Sequence, residues 1–413
     1  MNRRDFVAGL AGAGWLSLAG CTADESFEPD VDVGLSDGSG GTTEPAGNTT
    51  ASPPGPPRET VVPPVEAGPF PVGATNIELE PREDLGEYQQ GFRDGDDRGY
   101  VDQVLANPED AFAFDLDVPD DPGLYGSEAD STIPIVGFVL YPTADHNDRA
   151  DYTLGPATVP RMQGPGQAPL LPDSDGRFPL LVYSHGRGAT PLGPGSVDHA
   201  AFYASHGYVV CVLFHGDRRF EQLDASSMDQ PQEFTLRPLA VSRVVDELLA
   251  GNGGFDAHLD AGMVGGVGVS YGGTTMAALT GAELLPFGML SPATDRRFRA
   301  TVGIVSYMDS PFFGLENEGA GSVFAPHMTV AGSADALTDL DTYAEVISAI
   351  PVDRYLVVLS GQGHEFEPAA WPDAETWAHY FLEAHVRGDR AALGALGAMA
   401  AVEGGVEDYV AVP

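Results

Sequence analysis

Residues 264–273 read Val-Gly-Gly-Val-Gly-Val-Ser-Tyr-Gly-Gly, and a run of small and apolar residues follows them. The apolar, β-branched first half is typical of a buried strand, and residues 274–279 predict a helix. A strand, a sharp turn and a helix with Ser270 at the apex match the Gly-x-Ser-x-Gly pattern around a nucleophilic serine. The strained turn needs small neighbours, and the sequence supplies Gly268, Gly272 and Gly273. This stretch therefore predicts nucleophilic catalysis by Ser270.

The rest of a catalytic set can be sought downstream. A serine hydroxyl needs a base to take its proton, and the base needs a third group to orient it. In proteins with this serine pattern, the acid and the histidine come later in the chain, each on a loop after a strand. The apolar run 327–331 leads into Asp335, and the apolar run 355–359 leads into His364. The order and placement of Ser270, Asp335 and His364 predict a catalytic triad.

Other acidic residues compete with Asp335 for the third position. Asp309 follows the predicted strand 300–305, and it is the alternative acid. Asp339 and Asp341 lie near the start of a predicted helix, where a carboxylate caps the first turn or interacts with the helix dipole. We therefore expect Asp335 to be the acid and keep Asp309 as the alternative.

Backbone N–H donors are needed for the oxyanion of the tetrahedral intermediate. The residue after the serine, Tyr271, supplies one donor in this pattern. The second donor comes from the loop after an earlier strand, and residues 180–188 have that form: an apolar run, then His-Gly and a glycine-rich turn. We expect the Arg187 N–H to be this donor and His185 to orient the loop through hydrogen bonds.

Hydrophobic patterning predicts an α/β fold. Most of the predicted strands are continuous apolar runs, typical of strands covered on both faces: 112–118, 133–141, 178–184, 208–214, 263–269, 300–305, 327–331 and 355–359. Helical spacing of apolar residues recurs at 234–249, 340–350 and 374–386. The alternation predicts a mostly parallel central sheet of about eight strands with helices on both faces, whose first two strands form an antiparallel edge. The Gly/Pro-rich stretch 142–177 predicts a surface loop that overhangs the site.

The N-terminus predicts export and lipid attachment. Arg3 and Arg4 belong to a twin-arginine pattern, an apolar stretch follows, and residues 18–21, Leu-Ala-Gly-Cys, resemble a bacterial lipoprotein processing box. The apolar stretch is shorter than the roughly 20 residues of a transmembrane helix. We therefore expect a signal peptide over residues 1–21, lipid attachment to Cys21, and an extracytoplasmic location with the membrane as a partner through this anchor.

Composition divides the remaining chain into two parts. Residues 22–69 are rich in Asp, Glu, Gly, Ser, Thr and Pro and predict a disordered tether. Residues 70–413 then form a single catalytic domain. With Cys21 lipidated, Cys211 is the only other thiol of the sequence, so no intrachain disulfide is expected. The apolar residues around Cys211 predict a buried core position.

The net charge and the absence of lysine exclude several classes of function. The 413 residues include 61 acidic and 20 basic ones, for a formal net charge of −41, which repels the phosphates of nucleic acids. The charge is compatible with a high-salt habitat and equally with an ordinary acidic extracytoplasmic protein. The absence of lysine excludes P-loop NTPases, Schiff-base enzymes and Ser-Lys dyads. The acidic cluster 94–97 lacks the spacing of a calcium loop, so we expect a solvated surface there and no metal site.

Three segments together resemble the α/β-hydrolases: 184–188 (Ser-His-Gly-Arg-Gly), 203–210 (Tyr-Ala-Ser-His-Gly-Tyr-Val-Val) and 268–273 (Gly-Val-Ser-Tyr-Gly-Gly). They look like platelet-activating-factor acetylhydrolases, dienelactone-hydrolase-like esterases and cutinase-type polyester hydrolases, as does Arg237-Pro238 with the helical pattern after it. The resemblance covers roughly residues 133–387 and implies the α/β-hydrolase fold, a Ser-Asp-His triad and ester hydrolysis without a metal or cofactor. The chain departs from many such proteins at Val269, where they have His or Trp. The animal acetylhydrolases place the acid one strand earlier, which corresponds to Asp309.

These observations predict an exported, membrane-tethered serine esterase that acts through an acyl-enzyme intermediate. Its expected substrate is a small-molecule, lipid or polymeric ester. One alternative is a serine peptidase on the same fold, although such enzymes usually carry a propeller or cap domain, for which this chain leaves little room. A second alternative is a catalytically silent, surface-binding lipoprotein, and a fluorophosphonate probe would distinguish it from an esterase.

Overall fold

The computed structural model describes residues 58–77, 90–94, 96–154, 157–173, 176–193, 195–215, 230–284, 291, 293–308, 312–406 and 408–412. The strands in these ranges are β1 (Thr60–Val62), β2 (Val72–Ala74), β3 (Phe112–Asp117), β4 (Thr132–Pro142), β5 (Tyr152–Leu154), β6 (Ala157–Val159), β7 (Phe178–Ser184), β8 (Val209–Phe214), β9 (Leu259–Val269), β10 (Phe298–Ile304), β11 (His327–Gly332), β12 (Arg354–Leu359), β13 (Met399–Val402) and β14 (Asp408–Val412). The α-helices in these ranges include α1 (Arg98–Ala106), α2 (Pro122–Tyr125), α3 (Ser196–Ser205), α4 (Gln230–Ala250), α5 (Tyr271–Leu279), α6 (Leu340–Ala349), α7 (Trp371–His385) and α8 (Arg390–Ala398).

The centre of the molecule is a largely parallel β-sheet. Its strands follow the order β14-β12-β11-β10-β9-β7-β8-β4-β2, and β3 also pairs with β4. Strands β12, β11, β10, β9, β7 and β8 run parallel to one another, whereas β14, β4, β2 and β3 pair antiparallel at the two sides. Because the six central strands share one direction, the loops that follow them meet at a single edge of the sheet.

Strand β8 illustrates how helices cover both faces of this sheet. Its side chains alternate between two apolar clusters, with Val209, Cys211 and Leu213 in one and Val210, Val212 and Phe214 in the other. The first cluster contains residues of α4 and α5, and the second contains residues of α3 and α7. Cys211 is fully buried, as its apolar surroundings predicted. The continuous apolar runs in the sequence therefore reflect strands that are buried on both sides.

The eight predicted strands all occur as β3, β4, β7, β8, β9, β10, β11 and β12, and the predicted helices occur as α4, α6 and α7. The first two pair antiparallel at an edge, as expected. Within the described residues the central sheet has ten strands, because β2 and β14 add one at each side. Strand β2 has only three residues, too few for a hydrophobic period, and β14 begins with the polar residue Asp408.

The packed chain begins ahead of the boundary at residue 70 that composition predicted. Strand β1 pairs in parallel with β13, and its Val62 is buried. Arg58 donates from Nη1 to the Leu396 carbonyl at 2.7 Å, and the Val65 N–H donates to Thr376 Oγ1 at 2.9 Å. The composition of residues 58–69 is typical of a linker, but the side chain of Arg58 and the backbone N–H of Val65 donate to the C-terminal helices α8 and α7. Residues 22–57 of the predicted tether lie outside the described residues.

The stretch 142–177 lies away from the predicted site, so its expected position over the site is wrong. Strand β4 runs antiparallel to β8, with Val136 opposite Phe214 and Leu140 opposite Val210. Its last residue therefore lies at the edge where the parallel strands begin, and so does the start of β7. The intervening chain forms the β5–β6 hairpin and packs against β2, where the Gln163 N–H donates to the Ala74 carbonyl at 2.8 Å.

In the described part of the chain, no helix is both long and apolar enough to cross a bilayer.

Candidate active site

Four loops meet where the parallel strands end. Strand β9 is followed by Ser270, β11 by the loop with Asp335, β12 by the loop with His364, and β7 by residues 185–188. These strands are neighbours in the sheet, with only β10 between β11 and β9. Residues far apart in the sequence are thus brought to one edge by the parallel arrangement.

Ser270 occupies a strained turn between β9 and α5. Its φ and ψ are 52° and −117°, a conformation that residues with a Cβ rarely adopt. A Cβ on Gly268 would overlap the Gly272 carbonyl, and a Cβ on Gly272 would overlap the Ser184 carbonyl, so both positions need glycine. The Ser270 N–H donates to the Ile304 carbonyl at 2.8 Å, which ties the turn to β10. The geometry is that of the predicted strand–turn–helix with serine at its apex.

The predicted serine, histidine and acid form one hydrogen-bonded chain. Ser270 Oγ lies 2.8 Å from His364 Nε2, and His364 Nδ1 donates to Asp335 Oδ2 at 2.9 Å. With the Nδ1 proton on the carboxylate side, neutral His364 presents Nε2 as an acceptor for the serine proton. Ser270 and His364 are partly exposed, whereas the Asp335 side chain is 0% exposed. Ser270 and His364 are therefore accessible to a small molecule, whereas the enclosed Asp335 carboxylate is accessible only to its protein neighbours.

The Asp335 carboxylate is surrounded by donors. Oδ1 accepts from the N–H groups of Leu337 at 2.8 Å and Thr338 at 3.2 Å, and Oδ2 accepts from Tyr343 Oη at 3.0 Å as well as from His364. Burial alone would raise the pKa of Asp335, but the hydrogen bond and charge of His364 and the two backbone N–H groups outweigh it and lower the pKa. Asp335 is thus held as a carboxylate, which keeps the histidine tautomer that accepts from serine.

The loop after β7 lies beside the nucleophile. A Cβ placed on Gly186 would be 3.4 Å from Ser270 Cβ and 4.0 Å from Ser270 Oγ. His185 Nδ1 donates to the Gly186 carbonyl at 2.8 Å, in agreement with the orienting role expected for it. Arg187 follows this glycine, and Tyr271 is the first residue of α5, where N–H groups have no acceptor within the helix. Both expected oxyanion donors therefore belong to peptides that flank Ser270.

Two predicted positions, Asp309 and Cys21, lie outside the described residues. Asp339 is the N-cap of α6, as predicted, and its side chain accepts from the Thr342 N–H at 2.7 Å. Among the described residues, no group of three or more His, Cys, Asp or Glu side chains is placed to hold a metal ion.

Several supporting residues were not predicted in these roles. Tyr343, on the apolar face of α6, donates to Asp335, and Arg237 of α4 donates from Nη1 to the His185 carbonyl at 2.7 Å. His215 Nε2 forms a 2.8 Å hydrogen bond with Ser184 Oγ at the end of β7. In the sequence, Arg237 stands out only through the resemblance of its segment to known hydrolases. No local pattern reveals which backbone carbonyl a buried guanidinium contacts.

The chain matches no protein-family model, and no curated protein is significantly similar to it in sequence. The geometry of the site is therefore the main guide to function. A partly exposed hydroxyl, a histidine that can accept its proton and an enclosed carboxylate are the parts of an activated serine nucleophile.

Proposed function

We propose that this protein is a serine hydrolase of the α/β-hydrolase fold that cleaves carboxylic esters through an acyl-enzyme intermediate. The observation that carries the proposal is the hydrogen-bonded chain from Ser270 Oγ through His364 to the Asp335 carboxylate, with the serine on a positive-φ turn. The substrate class is a small-molecule, lipid or polymeric ester. The order serine, acid, histidine after strands β9, β11 and β12 supports the same fold assignment.

Acylation begins when His364 Nε2 takes the proton of Ser270 Oγ as the oxygen attacks the ester carbonyl carbon. The carbonyl oxygen becomes an oxyanion, which the N–H groups of Tyr271 and Arg187 stabilise. The imidazolium of His364 keeps its Nδ1 proton on Asp335, whose charge favours the protonated ring. As the intermediate collapses, Nε2 gives its proton to the leaving alkoxide, and the alcohol departs.

Deacylation repeats these steps with water as the nucleophile. His364 Nε2 takes a proton from the water, the hydroxide attacks the acyl carbon, and the same two N–H groups stabilise the oxyanion. Collapse of the second intermediate returns the proton to Ser270 Oγ and releases the carboxylic acid. Every proton transfer uses a group that the triad places within hydrogen-bonding distance of the serine.

The test measures hydrolysis of p-nitrophenyl esters from acetate to palmitate by the wild type and Ser270→Ala, at low and high salt. We expect Ser270-dependent turnover, with a chain-length optimum that separates short-ester from lipase-like activity. A fluorophosphonate probe should label Ser270 and leave Ser333, an exposed serine on the neighbouring loop, unlabelled. Equal hydrolysis by Ser270→Ala would refute the proposal, and a folded wild type without turnover or labelling would favour the binding-only alternative.

We also propose that the protein is exported and held at the cell envelope by lipid on Cys21, which follows a lipoprotein-like Leu-Ala-Gly. Metabolic labelling with an alkyne fatty acid in a bacterial host tests this. Cys21→Ser should abolish incorporation, whereas Cys211→Ser, which removes a buried thiol, should retain it. Incorporation that persists in Cys21→Ser would contradict the anchor.

A further inference from the structure

The peptide between Gly186 and Arg187 is held through its carbonyl. The Gly186 oxygen accepts from His185 Nδ1 at 2.8 Å and from Arg237 Nη2 at 3.3 Å. A second bond runs from Arg237 Nη1 to the His185 carbonyl at 2.7 Å, so the guanidinium spans two consecutive carbonyls of the loop. This fork geometry is specific to arginine, since an ammonium group is a single point charge.

The direction of that carbonyl determines the direction of the neighbouring N–H. A trans peptide is planar, and its C=O and N–H bonds point to opposite sides. Because Arg237 and His185 hold the Gly186 oxygen, the N–H of Arg187 in the same peptide points away from the guanidinium. Gly186 lies beside Ser270, since a Cβ on this glycine would be 3.4 Å from Ser270 Cβ. A flip of the peptide would turn a carbonyl, which repels an oxyanion, toward the site.

Arg237 contacts the other side of the site as well. Its guanidinium lies 4.9 Å from the centre of the Tyr271 ring, and Tyr271 is the residue whose N–H is the first oxyanion donor. Arg237 is only 1% exposed, so it can act on a substrate through its neighbours and not by direct contact. Donation to a peptide carbonyl also polarises the peptide and strengthens its N–H as a donor.

We infer that Arg237 is a positioning residue for the oxyanion hole, which fixes and polarises the Gly186–Arg187 peptide so that the Arg187 N–H faces the reacting carbonyl. The inference rests on the proposed function. Arg237, a buried residue of α4, then raises kcat and leaves substrate binding unchanged, because the oxyanion exists only in the transition state and intermediates.

The test compares wild type, Arg237→Ala, Arg237→Lys and Arg243→Ala with p-nitrophenyl acetate. We expect Arg237→Ala to lower kcat about 10²-fold, the effect of losing one oxyanion donor, with KM within about twofold. Millimolar guanidinium should restore part of that kcat in a saturable manner, because the ion can occupy the vacated space between the two carbonyls. The kcat of Arg237→Lys should lie between those of Arg237→Ala and the wild type. Arg243 is a half-exposed arginine on the same helix, and the kcat of Arg243→Ala should match that of the wild type.

Two results would overturn the inference: a folded Arg237→Ala enzyme with kcat within threefold of wild type, or a loss of kcat that guanidinium leaves unchanged. If Arg237→Ala does not fold, Arg237→Lys becomes the test variant. A kcat of Arg237→Lys equal to that of the wild type would then contradict the inference. Crystal structures of the wild type and the Arg237 variant provide a readout independent of turnover. We expect the Gly186–Arg187 peptide to be rotated in the variant, and an unchanged orientation would overturn the inference. An inactive wild type would refute the proposed function. The two crystal structures would still show whether Arg237 orients the Gly186–Arg187 peptide.

Discussion

Ser270 and Val305 both have backbone conformations that residues with a Cβ rarely adopt. Their φ angles are 52° and 44°, and they follow the neighbouring strands β9 and β10. Hydrogen bonds hold both in place, from the Ser270 N–H to the Ile304 carbonyl and from the Val305 N–H to the Val330 carbonyl at 2.7 Å. Strain of this kind costs roughly 1–3 kcal/mol and persists only where the surrounding structure enforces it. At Ser270 this strain falls on the residue whose hydroxyl is the proposed nucleophile.

Stability measurements on two variants test the strain at Ser270. Ser270→Ala and Ser270→Gly both remove the hydroxyl, but only glycine tolerates the observed φ without steric cost. We expect Ser270→Gly to exceed Ser270→Ala in free energy of unfolding by about 1 kcal/mol in urea titrations. Both variants should lack esterase activity. A less stable glycine variant would indicate that the turn is not strained.

Replacing the buried acid should remove most of the activity. Asp335→Asn keeps the shape of the side chain but favours the wrong histidine tautomer, so we expect kcat for p-nitrophenyl acetate to fall about 10⁴-fold. Asp339→Asn is the matched control on the same loop, because asparagine caps a helix as well as aspartate does. A loss of less than tenfold in Asp335→Asn would transfer the role of the acid to another carboxylate, and Asp309 is the one to test next.

The sequence reveals the proposed catalytic residues more readily than the residues that support them. Ser270, Asp335 and His364 are predictable because each has a distinctive side chain at a strand end, and a nucleophile, a base and an acid must occur in order. Tyr343 and Arg237 have no such signal. Tyr343 shares the helical spacing of ordinary core residues, and the contacts of Arg237 depend on the loop conformation after β7. Supports of this kind become visible only when the tertiary structure specifies which atoms they reach.

At the scale of elements, long buried strands are predictable and short edge strands are not. An 11-residue strand such as β4 has a clear apolar run, but the three-residue strands β1 and β2 exist only because a partner strand supplies their hydrogen bonds. The position of the stretch 142–177 depends on the direction of β4 in the sheet, and composition does not predict that direction. Tertiary pairing therefore decides the features that local pattern leaves open.

Strand β1 should contribute to stability despite its linker-like composition. Val62 is 6% exposed, whereas the adjacent Val61 is 57% exposed and points away from the core. We expect Val62→Ala to lower the free energy of unfolding by about 2 kcal/mol, from lost apolar burial and the cavity left behind. Val61→Ala should change it by less than about 0.5 kcal/mol. Equal effects in urea titrations would contradict the packing of β1 against β13.

Helix α7 and strand β14 bring two buried carboxylates close together. Burial, and then the charge of Asp408, raise the pKa of Asp373 from its ordinary 3.8 to about 6, despite a hydrogen bond from the Val406 N–H. Burial likewise raises the pKa of Asp408, whose Oδ2 accepts from Trp377 Nε1. A folded-state pKa above the unfolded value means that the folded protein binds the proton more tightly. The resulting stabilisation is complete below pH 3.8 and is lost as the pH rises through about 6.

Asp373→Asn should therefore stabilise the protein at neutral pH. We expect its free energy of unfolding to exceed that of the wild type by at least about 1 kcal/mol at pH 7.5, with a difference that shrinks as the pH falls from about 6 to 4. Asp389→Asn, which removes an exposed carboxylate at the start of α8, should show no comparable pH-dependent gain. A constant difference between pH 4 and 7.5 would rule out titration of Asp373 as the cause.

At the scale of the whole molecule, the parallel sheet and the charge act on different properties. The sheet assembles the site, because strands β7, β9, β11 and β12 all end at one edge. The net charge of −41 takes no part in that geometry, and it sets how strongly the folded chain repels itself. Compact charge of one sign destabilises the folded state relative to the expanded chain, so the fold must tolerate this repulsion at neutral pH.

Screening that repulsion should stabilise the protein. Raising NaCl from 0.1 to 1 M shortens the Debye length from about 10 Å to about 3 Å, so we expect Tm at pH 7.5 to rise by at least about 3 °C. At about pH 4.5, close to the isoelectric point of about 4.2, the net charge is close to zero, so the repulsion is weak and the rise should be much smaller. An equal rise at both pH values would assign the effect to stronger burial of apolar surface in salt, and not to charge. A rise confined to pH 7.5 would show that salt stabilises the fold by screening repulsion between its charges.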